Sequence, residues 1–270
     1  MGKFYLGDKL VYPYVGNDYA FVNPFAPDPD ATAFLTATGI TDSTIQNAIN
    51  NLVVDLKGYG IWTKMKAIYP FVGGTVTTNK YNLKDPQDTD GAFRIAFGTG
   101  FTFSADGVTA SGTSASNTYV NISTDLSQND SSVSIYVGSN TSGEDKIDFG
   151  FISAANGIQI LTRTLANEWG GKMMANTNNN YANTDSRGFY QFSRDNSSTY
   201  YAQKNTTRNT STQASITPPS GTLRLGGLAT VAFATKEYRF ASAGQALSTT
   251  EMDDYYTAVQ AFQTSLSRQV

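Results

Sequence analysis

The stretch YGIWTKMKAIYPFVGG, residues 59–74, joins a helical pattern on its N-terminal side to a long series of strand patterns on its C-terminal side. It concentrates large apolar side chains in a chain otherwise rich in Asn, Ser and Thr: Ile61, Trp62, Met65, Ile68, Tyr69, Phe71 and Val72. One buried aromatic side chain removes about 150–250 Å² from water. We predict a tight turn over residues 58–62 and a first core strand over residues 64–72, ended by Gly73 and Gly74, and we assign the cluster to packing.

The segment before this stretch has the pattern of an amphipathic helix. Thr41 is a suitable N-cap, and Asp42 places a negative charge in the first turn, where the helix dipole favours it. Apolar residues recur on one face, at Ile45, Ala48, Ile49, Leu52, Val53 and Leu56. With Gly58 as the stop signal, the sequence predicts a helix over residues 41–56 that lies against a core.

The chain from residue 64 to residue 240 has the pattern of short strands separated by turns rich in Asn, Asp, Gly and Ser. Val133, Ile135 and Val137 alternate with Ser or Tyr, as expected for a strand whose two faces differ. We also predict a strand over residues 92–97 and an exposed loop over the Asn-dense residues 176–183. Many short strands with such turns predict an antiparallel β-sandwich or barrel.

A second amphipathic helix is predicted over residues 248–266. Ser248 and Glu251 have the spacing of a capping box, in which each side chain bonds to the other residue's backbone amide. The apolar stripe that follows consists of Met252, Tyr255, Tyr256, Val259, Phe262 and Leu266.

The composition of the 270-residue chain excludes several kinds of function. It contains no Cys and no His, which removes disulfides, Cys-based zinc sites and every catalytic arrangement that uses His. The net charge of −3 and the absence of a basic patch argue against nucleic acid as a partner. No apolar run is long enough to span a membrane, and no signal-peptide pattern opens the chain. We predict no cofactor, no metal site and synthesis in a cytoplasm.

Residues 1–30 are predicted to form an extended arm that docks onto a partner. They hold four of the chain's 8 prolines, at positions 13, 24, 27 and 29, and proline favours extended backbone over sheet pairing. The apolar side chains that we assign to docking are Phe4, Tyr5, Leu6, Tyr12, Tyr14, Tyr19, Phe21 and Phe25. Packing of this arm on its own domain is the alternative, and the sequence leaves both open.

One acidic cluster, Glu144–Asp145–Lys146–Ile147–Asp148, is the best candidate for carboxylate chemistry. It lacks the second glutamate of the Glu-x-Asp-x-x-Glu pattern that sandwich-fold glucanases carry, so we expect no enzymatic activity. Calcium held by Asp145 and Asp148 is a further alternative. The simpler interpretation, which we favour, is a solvated turn at the start of a strand.

Glycan binding is the stronger functional alternative, because sugars stack on aromatic rings and bond to Asn, Asp and Thr. The candidate residues in or beside the Asn-rich loops of the second half are Trp169, Tyr181, Tyr190, Tyr200 and Tyr201. These aromatic side chains could equally be ordinary cross-strand packing pairs.

Two long segments carry a resemblance to a known family. Residues 38–74 (TGITDSTIQNAINNLVVDLKGYGIWTKMKAIYPFVGG), the following NLKDP at residues 82–86, and residues 234–270 resemble concanavalin A-like (LamG-like) jelly-roll proteins found among tailed-phage virion proteins. The opening KFYLGDKLVY resembles the short hairpin at the head of many phage tail and appendage proteins.

The resemblance implies a jelly-roll β-sandwich in a structural protein of a phage particle, such as a fibre, appendage or decoration subunit. It implies other virion proteins as partners, a homo-oligomer with a trimer favoured, host attachment, and location in the virion after synthesis in the host cytoplasm. Combined with the patterns above, it predicts a mainly β chain with a docking arm at residues 1–30 and one sandwich domain at residues 31–270. Contact with a host surface glycan remains the alternative function.

Overall fold

The computed structural model describes residues 27–141, 143–154 and 156–270, together with the backbone of Phe4–Leu6 and Lys9–Val11. Its helices are α1 (Pro29–Thr38), α2 (Ser43–Gly58), α3 (Val76–Asn79) and α4 (Thr249–Ser265). Its strands are β1 (Phe4–Leu6), β2 (Lys9–Val11), β3 (Met65–Tyr69), β4 (Thr102–Ser104), β5 (Gly107–Thr109), β6 (Ser116–Asn121), β7 (Ser131–Val137), β8 (Phe149–Ser153), β9 (Asn156–Leu161), β10 (Glu168–Ala175), β11 (Asn179–Ala182), β12 (Gly188–Arg194), β13 (Thr199–Lys204), β14 (Thr207–Thr212), β15 (Thr222–Leu225) and β16 (Glu237–Gly244).

Two antiparallel sheets form a β-sandwich, which confirms the predicted fold class. The six-stranded sheet has the order β11-β10-β9-β8-β15-β6, and the eight-stranded sheet has the order β14-β13-β12-β7-β16-β5-β4 with β3 also on β16. Strands β3 and β5 share one edge of β16 because each pairs with a different half of it. The pair β1–β2 forms a separate hairpin.

The main core lies between the two sheets. It contains the inward side of β7, namely Val133, Ile135 and Val137, as the alternation predicted. Opposite them lie residues of the six-stranded sheet such as Ile158 and Ile160. An antiparallel strand that faces another sheet buries every second side chain, and this accounts for the spacing.

A second core lies between the outer face of the eight-stranded sheet and the helices. Tyr136, Phe189 and Phe240 project from that face onto helices α2 and α4. Polar groups on the same face are buried as well, and Ser134 Oγ bonds to Ser242 Oγ at 2.7 Å. The molecule therefore has three layers, in the order helices, eight-stranded sheet, six-stranded sheet.

The stretch at residues 59–74 contributes to both cores. Tyr69 and Phe71 belong to the core between the sheets, whereas Trp62 and Ile68 belong to the core under the helices. A 3₁₀ turn occupies Trp62–Lys64, so the strand is shorter than predicted and covers only Met65–Tyr69. This one segment fixes the helical layer to the sandwich.

The two long helices were predicted, with small differences at their ends. Helix α2 begins two residues later than the predicted start at residue 41, because Asp42 rather than Thr41 caps it by accepting from the Ile45 amide at 3.0 Å. It also ends two residues later, so Gly58, the predicted stop signal, is its last residue. Helix α4 has the predicted capping box between Ser248 and Glu251. None of the described helices is both long and apolar enough to cross a membrane.

Three local predictions were wrong. Pro29 and Asp30, assigned to the extended arm, lie in helix α1, where Asp28 is the N-cap and Pro29 occupies the first turn. Residues 92–97 form no named strand and make only a bridge from Ala96 to Asn117. The Asn-dense run is not all loop, because its second half is strand β11.

Candidate functional site

A cleft of about 480 Å³ opens on the outer face of the six-stranded sheet, the face turned away from the helices. Six of its nine lining residues are polar, and the lining comes from strands β9, β10 and β11 and from the loops beside them. The lining residues are Asp145, Gln159, Leu161, Thr164, Leu165, Ala166, Glu168, Asn178 and Asn180.

The alternation of side chains along two neighbouring strands builds the floor of the cleft. On β9, Ile158 and Ile160 point into the main core, which leaves Gln159 and Leu161 on the outer face. On β10, Trp169 points inward and Glu168 points outward. Register and alternation therefore bring these outward side chains to one face.

The floor depends on the close approach of β10 to β9 at Gly171. This glycine pairs with Ile160 and has φ of +141°, in the region that side chains disfavour. A Cβ atom there would collide with the backbone carbonyl oxygen of Gln159. A larger residue at position 171 would therefore push β10 away from the strand that carries Gln159.

Three hydrogen bonds hold the rim of the cleft. Asp145 Oδ1 accepts from the Leu165 amide at 3.0 Å, and Glu168 Oε2 accepts from Asn180 Nδ2 at 3.2 Å. The turn between β9 and β10 closes where the Thr164 amide donates to the Glu168 carbonyl at 2.7 Å. Leu165, at the tip of this turn, is 70% exposed. The rim thus presents an apolar tip beside two carboxylates.

Basic side chains near the cleft hold its loops. Arg163 donates to Asn167 Oδ1 at 2.8 Å and to the Thr141 carbonyl at 3.1 Å. Lys172 donates to the Asn176 carbonyl, and desolvation lowers the pKa of this lysine. Among the residues that line the cleft itself, two are acidic and none is basic.

The chemistry of the lining suits a ligand with many hydroxyl groups. Carboxylates accept hydrogen bonds, whereas the side-chain amides of Gln159, Asn178 and Asn180 both donate and accept, as hydroxyl groups also do. Leu161 and Leu165 offer apolar contact to C–H groups. A ligand held here would be bound by several hydrogen bonds and a small apolar area.

The predicted glycan-binding aromatic residues do not line this cleft, and for three of them the prediction was wrong. Trp169, Tyr190 and Tyr200 are buried in the main core, where the ring centroids of Trp169 and Tyr190 lie 5.4 Å apart. They sit in strands packed against the opposite sheet, so no ring face is open to a sugar. The packing alternative was correct for these three residues.

The other two predicted aromatic residues are half-buried. Tyr181 packs on Trp169 with ring centroids 5.2 Å apart, and its hydroxyl bonds to Ser211 Oγ at 2.9 Å. Tyr201 packs against the core under the helices, on the opposite side of the molecule from the cleft. The structure therefore does not bring the five candidates together on one surface.

The acidic cluster is divided between two environments. Asp145 lines the cleft, whereas Asp148 is completely buried and contacts Lys236, Tyr238 and Thr162. The prediction of a solvated turn was therefore wrong for Asp148, which bonds across the sandwich. Within the described ranges, no group of three or more acidic side chains is placed to hold a metal ion.

Sequence reasoning missed the lining residues Gln159, Glu168, Asn178 and Asn180 as a set. The available signal was the alternation itself, because inward Ile158, Ile160 and Trp169 fix which neighbours face outward. The pairing of β10 with both β9 and β11 was the missing information, since alternation alone does not say which strands are adjacent.

The docking residues of the predicted arm lie outside the described side chains. Only the backbone of two segments is described, and there Phe4–Leu6 pairs with Lys9–Val11 as the predicted hairpin. Tyr12, Tyr14, Tyr19, Phe21 and Phe25 are outside the described residues altogether.

No protein-family model matches the chain, and no curated protein matches it either. Among solved structures, it is similar to domain 4 of an extracellular arabinanase from Geobacillus stearothermophilus in complex with arabinotriose, with 15% identity, 72% of this chain and 98% of that chain covered, and a TM-score of 0.49. It is also similar to the botulinum neurotoxin serotype D binding domain, with 12% identity, 73% and 51% covered, and a TM-score of 0.49.

A third similar structure is Trypanosoma rangeli sialidase, with 7% identity, 78% of this chain and 38% of that chain covered, and a TM-score of 0.50. The chain thus spans about half or less of the length of the toxin domain and the sialidase. At 7% identity the likeness to the sialidase concerns the fold alone, and it agrees with the two-sheet sandwich described above.

Proposed function

We propose that this protein is a non-enzymatic glycan-binding β-sandwich and that the outer-face cleft is its binding site. The observation that carries the proposal is the cleft of about 480 Å³ with carboxylate and amide side chains around an apolar tip. Side chains that both donate and accept hydrogen bonds match the paired donor and acceptor character of sugar hydroxyls.

The charge of the lining supports a neutral or amino-bearing sugar over an anionic one. Asp145 and Glu168 would repel a sialic acid or a uronic acid, because like charges at short range disfavour binding. The same two carboxylates would attract an ammonium group on an amino sugar. The polarity of the other lining residues argues against a purely apolar ligand.

The absence of catalysis is part of the proposal. A retaining glycosidase needs two carboxyl groups about 5–5.5 Å apart, with one free to protonate the leaving group. Here Asp148 is buried and Glu144 bonds to Lys236 and Thr235. Asp145 and Glu168 each already accept a hydrogen bond from a rim group. Incubation with a bound glycan should release no new reducing ends.

The binding experiment starts with the full chain on an array of neutral, amino and acidic glycans, followed by titration calorimetry with a glycan that binds. Asn180→Ala and Gln159→Ala each remove side-chain bonds worth about 0.5–1.5 kcal/mol, so we expect about 2–12-fold weaker binding. Asn47→Ala, an exposed amide on helix α2 in the opposite layer, is the matched control and should bind as the unmodified chain does. Equal loss in all three variants, or binding only to acidic glycans, would contradict the proposal.

We also propose that the module is a structural subunit of a phage particle, held through residues 1–26. The resemblance of residues 38–74 and 234–270 to virion jelly-roll proteins supports this proposal. The place where residues 1–26 join the folded domain supports it as well. Asp28, just after these residues, forms a salt bridge of 2.7 Å with Lys57 of helix α2. This junction lies in the helical layer, and the cleft lies on the far side of both sheets. A particle bound at the first face would leave the second open to the host surface.

Deletion of residues 1–26 tests this second proposal. The truncated chain keeps Asp28, the N-cap of helix α1, and should fold with an unchanged melting temperature. We expect it to be absent from purified particles assembled in its presence, and we expect its glycan affinity to stay the same. Normal incorporation of the truncated chain would show that residues 1–26 do not dock.

A further inference from the structure

A buried lysine and a buried aspartate meet at one end of the sandwich and connect its two sheets. Lys236 Nζ lies 3.2 Å from Asp148 Oδ1 and 3.3 Å from Oδ2, and both side chains are completely inaccessible to solvent. Asp148 immediately precedes β8 of the six-stranded sheet, and Lys236 immediately precedes β16 of the eight-stranded sheet. The nitrogen is nearly equidistant from the two oxygens. It therefore lies close to the plane that passes through Cγ midway between them.

Groups able to assist amide formation surround this pair. Thr162 donates to Asp148 Oδ2 twice, from its amide at 2.7 Å and from its hydroxyl at 2.8 Å. Tyr238 donates its hydroxyl to Oδ1 at 2.9 Å. Glu144 Oε1 lies 3.1 Å from Lys236 Nζ on the other side of the nitrogen. A nucleophile, an electrophile, donors for developing charge and a proton acceptor therefore lie within hydrogen-bond distance.

We propose that Lys236 and Asp148 condense into an intramolecular isopeptide bond that joins the two sheets. In the reactive form one proton has moved from Nζ to Asp148 Oδ1, which leaves a neutral amine beside a neutral acid in an interior closed to water. The Nζ lone pair then attacks Cγ, and the negative charge that develops on Oδ2 is stabilised by both Thr162 donors.

Glu144 completes the reaction as a proton carrier. Its carboxylate takes one proton from the attacking nitrogen and returns it to Oδ1, which leaves Cγ as water while the C–N amide bond remains. The amine and the acid thus give one amide and one water, with no change of oxidation state and with the Glu144 carboxylate restored. No reactant from outside the chain is needed.

The backbone around both reacting residues is already fixed. The Asp148 amide donates to the Ile160 carbonyl at 2.9 Å, and the Lys236 carbonyl accepts from the Ala110 amide at 3.0 Å. The bond would link positions 88 residues apart in a chain that has no cysteine. It would therefore supply the covalent closure between sheets that a disulfide supplies in other sandwiches.

The pair Lys64–Glu251 is an internal control for this chemistry. Its nitrogen and oxygen lie 2.6 Å apart, closer than those of Lys236 and Asp148, but its side chains are 32% and 20% exposed. Water stabilises that ion pair in its charged form, which is unreactive because an ammonium group has no free lone pair. Amide formation should therefore occur at Lys236 and not at Lys64.

The test is the mass of the purified full chain and of its tryptic peptides. We expect the chain to be lighter than its sequence by one water, and we expect peptide 147–163 to be joined to peptide 225–239, which trypsin leaves uncut at the modified Lys236. Lys236→Arg removes the nucleophile and should restore the full mass, Glu144→Gln should leave most of the chain unjoined, and Lys64→Arg should keep the loss of water.

A wild-type chain at its full mass, with peptides 147–163 and 225–236 released separately, would overturn the proposal. So would a loss of water that persists in Lys236→Arg, because the water would then come from another site. The peptide measurement on the unmodified chain gives this answer even where a variant fails to fold.

Discussion

Replacement of Phe262 by alanine tests whether helix α4 belongs to the folded core. The side chain is 2% exposed and lies at the interface between α4 and the eight-stranded sheet. Its ring packs against Phe240 with centroids 6.3 Å apart, and the Arg268 guanidinium lies 5.7 Å from the ring centroid. The substitution removes all of these contacts at once.

The expected loss of stability is about 4 kcal/mol, the middle of the range of about 3–5 kcal/mol measured for buried Phe→Ala changes. The upper limit is not expected, because Phe262 also lines a groove of about 190 Å³ between α2 and α4. Space created next to an existing groove can be filled by water or by relaxation of the helices. The buried contact with Phe240 keeps the value above the lower limit.

Thermal and urea unfolding measure this loss. For a domain of this size, 4 kcal/mol corresponds to a decrease in Tm of about 8–16 °C. The control is Val54→Ala, an exposed position on the neighbouring helix α2, which should change stability by about 0.5 kcal/mol or less. If Phe262→Ala shifts Tm no more than this control does, α4 is not part of the cooperative core.

Three further predictions concern charge and backbone geometry. Desolvation raises the pKa of Glu251, but hydrogen bonds from Lys64 and the Ser248 cap outweigh it, so the pKa lies below its usual value. The stabilisation by Glu251, about 0.5–1 kcal/mol, is therefore present above the unfolded-state pKa of about 4.3 and is lost as pH falls through the lowered value. Denaturation of Glu251→Gln should show a larger difference from wild type at pH 7 than at pH 3, and an equal difference at both pH values would contradict this. Gly171→Ala should weaken glycan binding and lower Tm together, measured on one sample, because β10 must move from β9; unchanged values would refute the close approach. The buried guanidinium of Arg194 donates to backbone carbonyls, and Arg194→Met removes this donor. The free energy of unfolding, measured in urea, should fall by about 3 kcal/mol. A variant as stable as the wild type would contradict this.

The helices and the strand faces could be predicted because their signals are local. The Ser248–Glu251 capping box and the Val133–Ile135–Val137 alternation each depend on residues a few positions apart. Helix α1 was missed because Pro29 was interpreted as a marker of extended chain. Proline at the first turn of a helix, after an Asp cap, favours the helix instead.

The candidate site could not be predicted, because it depends on which strands are neighbours. Trp169 and Tyr190 looked like surface aromatics beside Asn-rich loops, yet their strands face the opposite sheet and their rings are buried. Asp148 looked like a solvated charge because its partners Lys236 and Tyr238 are about 90 residues away in sequence. The environment of such residues depends on contacts between distant parts of the chain, which composition does not reveal.

The most direct test of the glycan-binding proposal is an amide NMR titration of the isotope-labelled chain with a glycan that binds on the array. If the outer-face cleft is the site, the largest shift changes will fall on the backbone amides of Leu165, Glu168, Asn178 and Asn180, while the amides of helices α2 and α4 stay unchanged. Shift changes centred on the helical layer or near Tyr201, with the cleft amides unaffected, would contradict the account.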